Sequence, residues 1–174
     1  KSDVRYYLLG QGSNTLFADE GFDGAVICTR MMGDVPRIEG ERMTAPAGAG
    51  LTALCAMARD AGLTGLEFAC GIPGSLGGAL YMNAGAYGGE MKDVVETVTC
   101  LTPEGTVETR PADALAFGYR TSVFEQDGSC VLSATLRLAR GDKAAIRARM
   151  AELLAKRREK QPLNYPSAGS VFKR

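Results

Sequence analysis

Residues 71–89, GIPGSLGGALYMNAGAYGG, constrain the fold of this chain more than any other stretch. Glycine recurs so often here that an ordinary core helix or strand would lose stability to backbone entropy. Four interleaved apolar residues indicate a packed surface instead of a flexible loop: Ile72, Leu76, Leu80 and Met82. Ser75 is placed to cap a short helix whose first N–H groups would be free. The segment therefore predicts a site for a large, flat cofactor that carries a pyrophosphate.

A second glycine-rich motif, GQGSN at residues 10–14, follows the apolar run VRYYLLG. It lacks the third glycine of the dinucleotide fingerprint and the lysine of a P-loop, so a plain tight turn is one interpretation. The other is a nest of backbone N–H groups that binds an anion, with Ser13 and Asn14 as further donors. The motif alone leaves both open.

Helices and antiparallel hairpins are mixed without a regular βαβ rhythm, which predicts the α+β class. Leu51 and Leu54 begin a helical pattern that Gly62 is expected to end. A longer helix is expected between Asp142, as its cap, and Pro162. Strands are expected at 4–9, 25–29 and 129–140, a hairpin over 94–110, and a loop or short edge strand at 43–50.

The composition excludes several classes of function. Histidine is absent, which removes His acid–base catalysis and His-ligated metal centres, so a proton must come from another side chain or a cofactor. The 20 basic and 20 acidic residues balance, so we expect neither nucleic acid nor a membrane surface as a partner. No segment is apolar enough to span a bilayer and no secretory signal is recognisable, which favours the cytoplasm.

Five cysteines lie far apart among apolar neighbours: Cys28, Cys55, Cys70, Cys100 and Cys130. Their number is odd and there is no C-x-x-C pair. We expect buried free thiols in a reducing compartment, with no disulfide and no metal site.

Two motifs supply candidate reactive groups. FGYRTSVF places Tyr119 beside Arg120, which can hold a carboxylate or phosphate in a bidentate fork or be an ordinary surface arginine. YPSAGSVFKR places Ser170 in a turn with Lys173 nearby. Such a serine is commonly structural, but without histidine it is also a candidate proton donor.

Four motifs occur in order: LGQGSNTLFAD, GIPGSLGGALYMNAGAYGGEMKDVV, FGYRTSVF and PSAGSVFKR. Together they resemble the UDP-N-acetylenolpyruvoylglucosamine reductases, flavoenzymes of bacterial peptidoglycan precursor synthesis. The resemblance implies an α+β FAD-binding domain of the vanillyl-alcohol-oxidase/PCMH-like type, with mixed and antiparallel sheets flanked by helices.

The resemblance also assigns roles to residues. It implies non-covalently bound FAD, with cofactor-binding residues in three groups: Gly10, Gln11, Gly12, Ser13 and Asn14; Gly71, Ile72, Pro73, Gly74, Ser75, Gly77 and Gly78; and Asn83, Ala84 and Gly85. Arg120 would polarise the substrate carboxylate and Ser170 would donate the proton. Tyr119, Lys160 and Lys173 would contact substrate, and no metal is implied.

The implied reaction is the NADPH-driven reduction of a UDP-linked sugar enolpyruvyl ether to UDP-N-acetylmuramate, by a monomeric, cytoplasmic enzyme. Two alternatives stay open. One is an FAD-binding module without catalysis of its own, and the other is a different FAD oxidoreductase of the same fold.

Family members usually carry a further FAD-binding stretch upstream and a C-terminal substrate domain with a catalytic glutamate. We therefore expect a central fragment: 1–30 as the remainder of a first FAD-binding subdomain, 31–140 as a second subdomain, and 141–174 as a helix and linker.

Overall fold

The computed structural model describes residues 4–161 and 164–165 of the chain. The α-helices are α1 (Leu51–Ala61), α2 (Leu76–Tyr81), α3 (Val123–Asp127) and α4 (Lys143–Lys160). The strands are β1 (Tyr6–Leu9), β2 (Ala25–Cys28), β3 (Arg37–Glu39), β4 (Arg42–Pro46), β5 (Leu63–Thr64), β6 (Gly85–Ala86), β7 (Gly89–Glu90), β8 (Val95–Leu101), β9 (Val107–Pro111), β10 (Cys130–Arg137) and β11 (Ala139–Arg140). Among the helices of this described part, none has the length and apolar character needed to cross a membrane.

A five-stranded antiparallel sheet, in the order β3-β4-β10-β8-β9, forms the centre of the structure. Side chains alternate between its faces along each strand. Ala45, Ala134 and Val98 lie side by side in register and are buried in the core. On the opposite face Thr44 lies across from Thr135, with their hydroxyls 3.0 Å apart. The sheet therefore has one apolar face, which packs into the core, and one polar face.

Helices α1 and α4 pack against each other and contribute to the core. Helix α1 ends as predicted, at Gly62 with a φ of +70°. Helix α4 also begins as predicted, because the Asp142 carboxylate accepts a 2.8 Å hydrogen bond from the Ala145 N–H. The predicted β8–β9 hairpin and the Ser75 cap of α2 are confirmed as well.

Strands β1 and β2 form a separate parallel pair, in which Tyr6 lies opposite Ala25 and Leu9 opposite Cys28. This pair is largely exposed: Tyr6, Val26 and Ile27 each present 45–53% of their surface to solvent. The predicted boundary after residue 30 falls inside the 3-10 turn Thr29–Met31. The division of the chain into subdomains stays a prediction.

For residues 43–50 we expect a loop or a short edge strand; 47–50 are a turn and 43–46 belong to a strand, but the edge position is wrong. Strand β4 is an interior strand, paired with β3 on one side and β10 on the other. Its apolar alternation is carried only by Met43 and Ala45, which is too short a pattern to reveal a strand. Pro46, which has no N–H to donate to the ladder, is the last residue of the strand.

Two further expectations need correction. The single strand predicted at 129–140 is two strands, because the chain leaves the central sheet after Arg137 and β11 pairs with β5. The cysteines were expected to be buried, but Cys28 is exposed because β2 has no layer covering it in the described structure. Cys55, Cys70 and Cys100 are buried as expected, and Cys130 is only partly buried.

Candidate functional site

The turn at residues 10–14 lies against the glycine-rich loop that begins near residue 71. Ser13 Oγ donates a 2.9 Å hydrogen bond to the carbonyl oxygen of Pro73. Asn14 Nδ2 lies 3.0 Å from Met82 Sδ. A Cβ on Gly10 would stand 2.7 Å from Ser75 Oγ, so only glycine permits this approach. Two motifs that are distant in sequence therefore form one surface.

A third glycine-rich segment, AGAG at residues 47–50, completes this surface. It pairs with the start of α2 like a short antiparallel ladder: the Leu76 N–H donates to Ala49 O at 2.8 Å, and the Leu51 N–H donates to Gly74 O at 3.1 Å. This segment is not among the residues that the sequence motifs assign to the site. Its run of small residues immediately before a helix was the available signal.

The same pairing corrects one prediction, that the first N–H groups of α2 are free. Ala49 and Ala47 carbonyl oxygens accept from Leu76 and Gly77, and Ser75 Oγ accepts from the Gly78 N–H at 3.4 Å. These donors are used because residues 47–50 run alongside the helix start. The N–H groups at the N-terminus of α2 are therefore hydrogen-bonded within the protein, so the helix start is not an open anion site.

Unused donors lie instead in the turn at 10–14. Within the described part of the chain, no residue accepts a hydrogen bond from the backbone N–H groups of residues 11–14. Gly12 has a φ of +72°, the left-handed conformation that turns successive N–H groups to one side. The Ser13 hydroxyl is already used by Pro73 O. Backbone N–H groups without a carboxylate among them suit a pyrophosphate, so the turn fits an FAD.

The Arg157 side chain packs against the beginning of the loop at residue 71. Its Cδ lies 2.8 Å from the position that a Cβ of Gly71 would occupy, and its side chain is half-buried. Burial raises the pKa of the neighbouring Cys70 thiol, and the Arg157 charge lowers it in part. No sequence motif pointed to Arg157, which is one of three basic residues in the last turn of α4. Lys160 lies one helical turn further on, as the exposed last residue of α4.

Tyr119 and Arg120 form the tip of a tight turn. The Gly118 N–H donates to Thr121 O at 3.1 Å, and Arg120 has a φ of +58°. Arg120 Nη2 donates to the carbonyl oxygen of Gly85 at 3.1 Å, so the predicted catalytic arginine contacts the end of the predicted cofactor-binding segment. Tyr119 is 60% exposed, with the Arg120 guanidinium 5.6 Å from its ring centroid.

Other residues predicted to bind the cofactor are buried or have their polar groups bonded within the protein. Ala84 is buried, and its N–H and C=O are used by Ala79 and Met91. Ile72 is partly buried against the core. The Asn83 amide is bonded to protein groups. Ser170 and Lys173 lie outside the described residues, so their roles stay predictions.

Comparisons with known proteins identify the family and the fold. The FAD binding domain family model matches residues 1–110. The chain is 49% identical over 168 residues to the UDP-N-acetylenolpyruvoylglucosamine reductase of Limosilactobacillus fermentum, covering 96% of this chain and 55% of that protein. It is 50% identical to the reductase of the same name from Lactiplantibacillus plantarum, with the same coverage.

Among solved structures, UDP-N-acetylenolpyruvylglucosamine reductase from Thermus caldophilus superposes with a TM-score of 0.83 at 35% identity. The match covers 99% of this chain and 62% of that one. The chain thus spans about half the length of the curated relatives it matches. These matches confirm the expected α+β FAD-binding fold, and the chain belongs to the FAD binding domain family.

Proposed function

We propose that this chain is the FAD-binding part of an NADPH-dependent reductase that converts a UDP-linked sugar enolpyruvyl ether to UDP-N-acetylmuramate for peptidoglycan synthesis. The observation that carries the proposal is the Arg120–Gly85 contact, which joins the proposed substrate-binding arginine to the predicted cofactor loop. Relatives with the reductase name match almost the whole chain.

FAD would be held by the N–H groups of residues 11–14. Ser13 contacts Pro73 and Arg157 contacts Gly71, so both side chains adjoin the loop at 71–75. When reduced by NADPH, bound FAD would supply the hydride for the vinyl carbon. The chain's own residues bind and orient the substrate and stabilise its charge.

Arg120 is suited to the charge that develops on the substrate. Hydride addition to the enolpyruvyl group pushes electron density toward the carboxylate, where a fixed guanidinium stabilises it. Gly85 O is the acceptor that the described residues provide for Arg120, which leaves further guanidinium donors for a carboxylate. Ser170 is the proposed proton donor to the adjacent carbon, with Lys173 nearby in sequence.

Several coarser features complete the proposal. The 1–30, 31–140 and 141–174 division, a monomeric state and a cytoplasmic location follow the resemblance. Tyr119 and Lys160 are proposed substrate contacts. The chain spans about half the length of its relatives, so catalysis is proposed for a longer protein, one of the relatives' full length that contains this chain.

The test uses the longer protein loaded with FAD and reduced by NADPH under anaerobic conditions. Adding the UDP-linked enolpyruvyl substrate should reoxidise the flavin and form product in equal amount. Reduction by NADPH without reoxidation by this substrate would reject the proposal and favour a different FAD oxidoreductase.

The partial coverage favours one second candidate, a cofactor-binding module without its own turnover. The chain of residues 1–174 would then bind FAD stoichiometrically but reoxidise with substrate only when the remaining segments are present. Reoxidation by the isolated chain would exclude this candidate.

A further inference from the structure

Asn83 is a buried polar residue in an unusual backbone conformation. Only 1% of its surface is exposed, and its φ is 44°. Asparagine tolerates the left-handed region better than most residues because its short side chain makes local hydrogen bonds. The resemblance assigned Asn83 to the cofactor, but its side chain is directed to other protein groups.

The Asn83 amide joins two segments. Its Nδ2 donates to Glu90 Oε2 at 2.8 Å and to the carbonyl oxygen of Gly118 at 2.9 Å. Its Oδ1 accepts a 2.9 Å hydrogen bond from the Lys92 N–H. Both amide protons are therefore used, and neither is left for a cofactor.

Gly118 is the first residue of the turn that carries Arg120. The turn is fixed to residues 81–85 at three points: Ser122 Oγ donates to Tyr81 O at 2.8 Å, Asn83 donates to Gly118 O, and Arg120 donates to Gly85 O. The hydrogen bonds at its two ends come from buried side chains, since Ser122 is 0% exposed. Only the Arg120 contact comes from a half-buried residue.

We propose that Asn83 is a positioning residue that sets the orientation of Arg120 by holding the carbonyl oxygen of Gly118. This inference rests on the proposed function, in which Arg120 binds the substrate carboxylate. A guanidinium stabilises the charge that develops on the substrate carboxylate only if its backbone is held in place. Arg120 has a left-handed φ, which a residue with a Cβ does not favour, so surrounding contacts must maintain it. The hydrogen bond from Asn83 to Gly118 O holds the backbone of this turn in place.

The surrounding groups explain why an amide is needed at position 83. Two acceptors, Gly118 O and Glu90 Oε2, require two donors, whereas the Lys92 N–H requires an acceptor. An aspartate has the same shape but offers a second carboxylate to Glu90. Lys92 also pairs with Glu90 through its side chain, and Asp93 accepts from the Glu90 N–H at 2.9 Å.

The test compares two variants of the longer, FAD-loaded enzyme. Asn83→Asp keeps the shape and reverses the donor pattern, and Asn83→Gly removes the side chain at a φ that glycine accepts. Val98→Ala is the control, because it opens a cavity in the sheet core without touching the turn. Measurements are FAD content, reoxidation of reduced flavin by substrate, melting temperature, and hydrogen exchange of residues 118–121.

Both Asn83 variants should retain FAD, show faster exchange at 118–121 and reoxidise about tenfold more slowly, from loss of hydrogen bonds on Gly118 and Glu90. Val98→Ala should lower the melting temperature but leave reoxidation within about twofold. The Asn83→Asp defect should shrink as pH is lowered toward about 5, because a protonated carboxyl donates again, whereas the Asn83→Gly defect should not change.

Loss of FAD from the Asn83 variants would overturn the inference in favour of cofactor binding. Unchanged reoxidation, or a loss no larger than the melting temperature explains, would overturn it as well. If substrate fails to reoxidise even the unmodified enzyme, the proposed function has failed. Exchange at 118–121 then decides separately whether Asn83 holds the turn.

Discussion

Ser13 Oγ donates a 2.9 Å hydrogen bond to the carbonyl oxygen of Pro73, which lies sixty residues further along the chain. This contact fixes the turn at 10–14 against the loop that precedes α2. The exposed β1–β2 pair is thereby connected to the core at the point where a cofactor is proposed to bind. Stability and cofactor affinity are therefore expected to respond together at this junction.

Ser13→Ala should weaken FAD binding by about fivefold, because losing one exposed hydrogen bond costs about 1 kcal/mol. Flavin fluorescence during titration with FAD measures the affinity. Ser133→Ala, on strand β10, is the matched control and should leave the affinity unchanged. Equal affinities for both variants would show that the junction does not shape the site.

Gly77 and Gly78 are neighbours in α2 that should respond oppositely to alanine. A Cβ on Gly77 would stand 2.9 Å from Ala47 Cβ, whereas on Gly78 the nearest atom is Ser75 Oγ at 3.6 Å. We expect Gly77→Ala to lower the free energy of unfolding by about 1–3 kcal/mol. Gly78→Ala should leave it unchanged or raise it by up to about 1 kcal/mol. Urea denaturation of both variants gives the comparison, and equal effects would contradict it.

Arg157→Gln should reduce FAD affinity, because the Arg157 side chain packs on Gly71, the first residue of the proposed cofactor loop. Its effect should diminish as salt is added, since the interaction is with phosphate charge. Arg158→Gln is the control, because Arg158 is its exposed neighbour on the same helix. FAD titrations at two ionic strengths measure both affinities. Equal affinities of the two variants at both salt concentrations would contradict a role of Arg157 in binding FAD.

Asp127 should contribute stability only above acidic pH. Burial alone would raise the pKa of its carboxyl, but hydrogen bonds from the Ser129 N–H and from Arg110 outweigh burial and lower it. A carboxyl with a lowered pKa in the folded state stabilises above its unfolded pKa of about 3.9 and loses this contribution as pH falls through the folded value.

Asp127→Asn should therefore destabilise the protein at pH 7 by about 1–2 kcal/mol, with the difference from the unmodified protein shrinking steadily below about pH 4. Urea denaturation at several pH values measures this. Asp60→Asn, which removes an exposed pair with Arg59, should change little at any pH. A difference for Asp127→Asn that is independent of pH would contradict the assigned cause.

Elements with strong local signals were predictable from sequence. The stripe and cap of α4, the glycine end of α1 and the β8–β9 hairpin depend on neighbouring residues, whose periodicity and turn chemistry are visible in the chain. The interior position of strand β4 was not predictable, because its place between β3 and β10 depends on distant partners, which its short apolar pattern does not specify.

The sequence by itself determined which residues are able to form the site: the small, donor-rich motifs at 10–14 and 71–78, and the arginine at 120 beside its tyrosine. Tertiary structure alone decided how they are used. In the folded chain, carbonyl oxygens of residues 47–50 accept hydrogen bonds from the first N–H groups of α2. Folding also packs Arg157 against Gly71 and directs the Asn83 amide to Gly118. Hydrogen-bond partners and close approaches between distant segments depend on packing, and packing is a property of the whole chain and not of any local pattern.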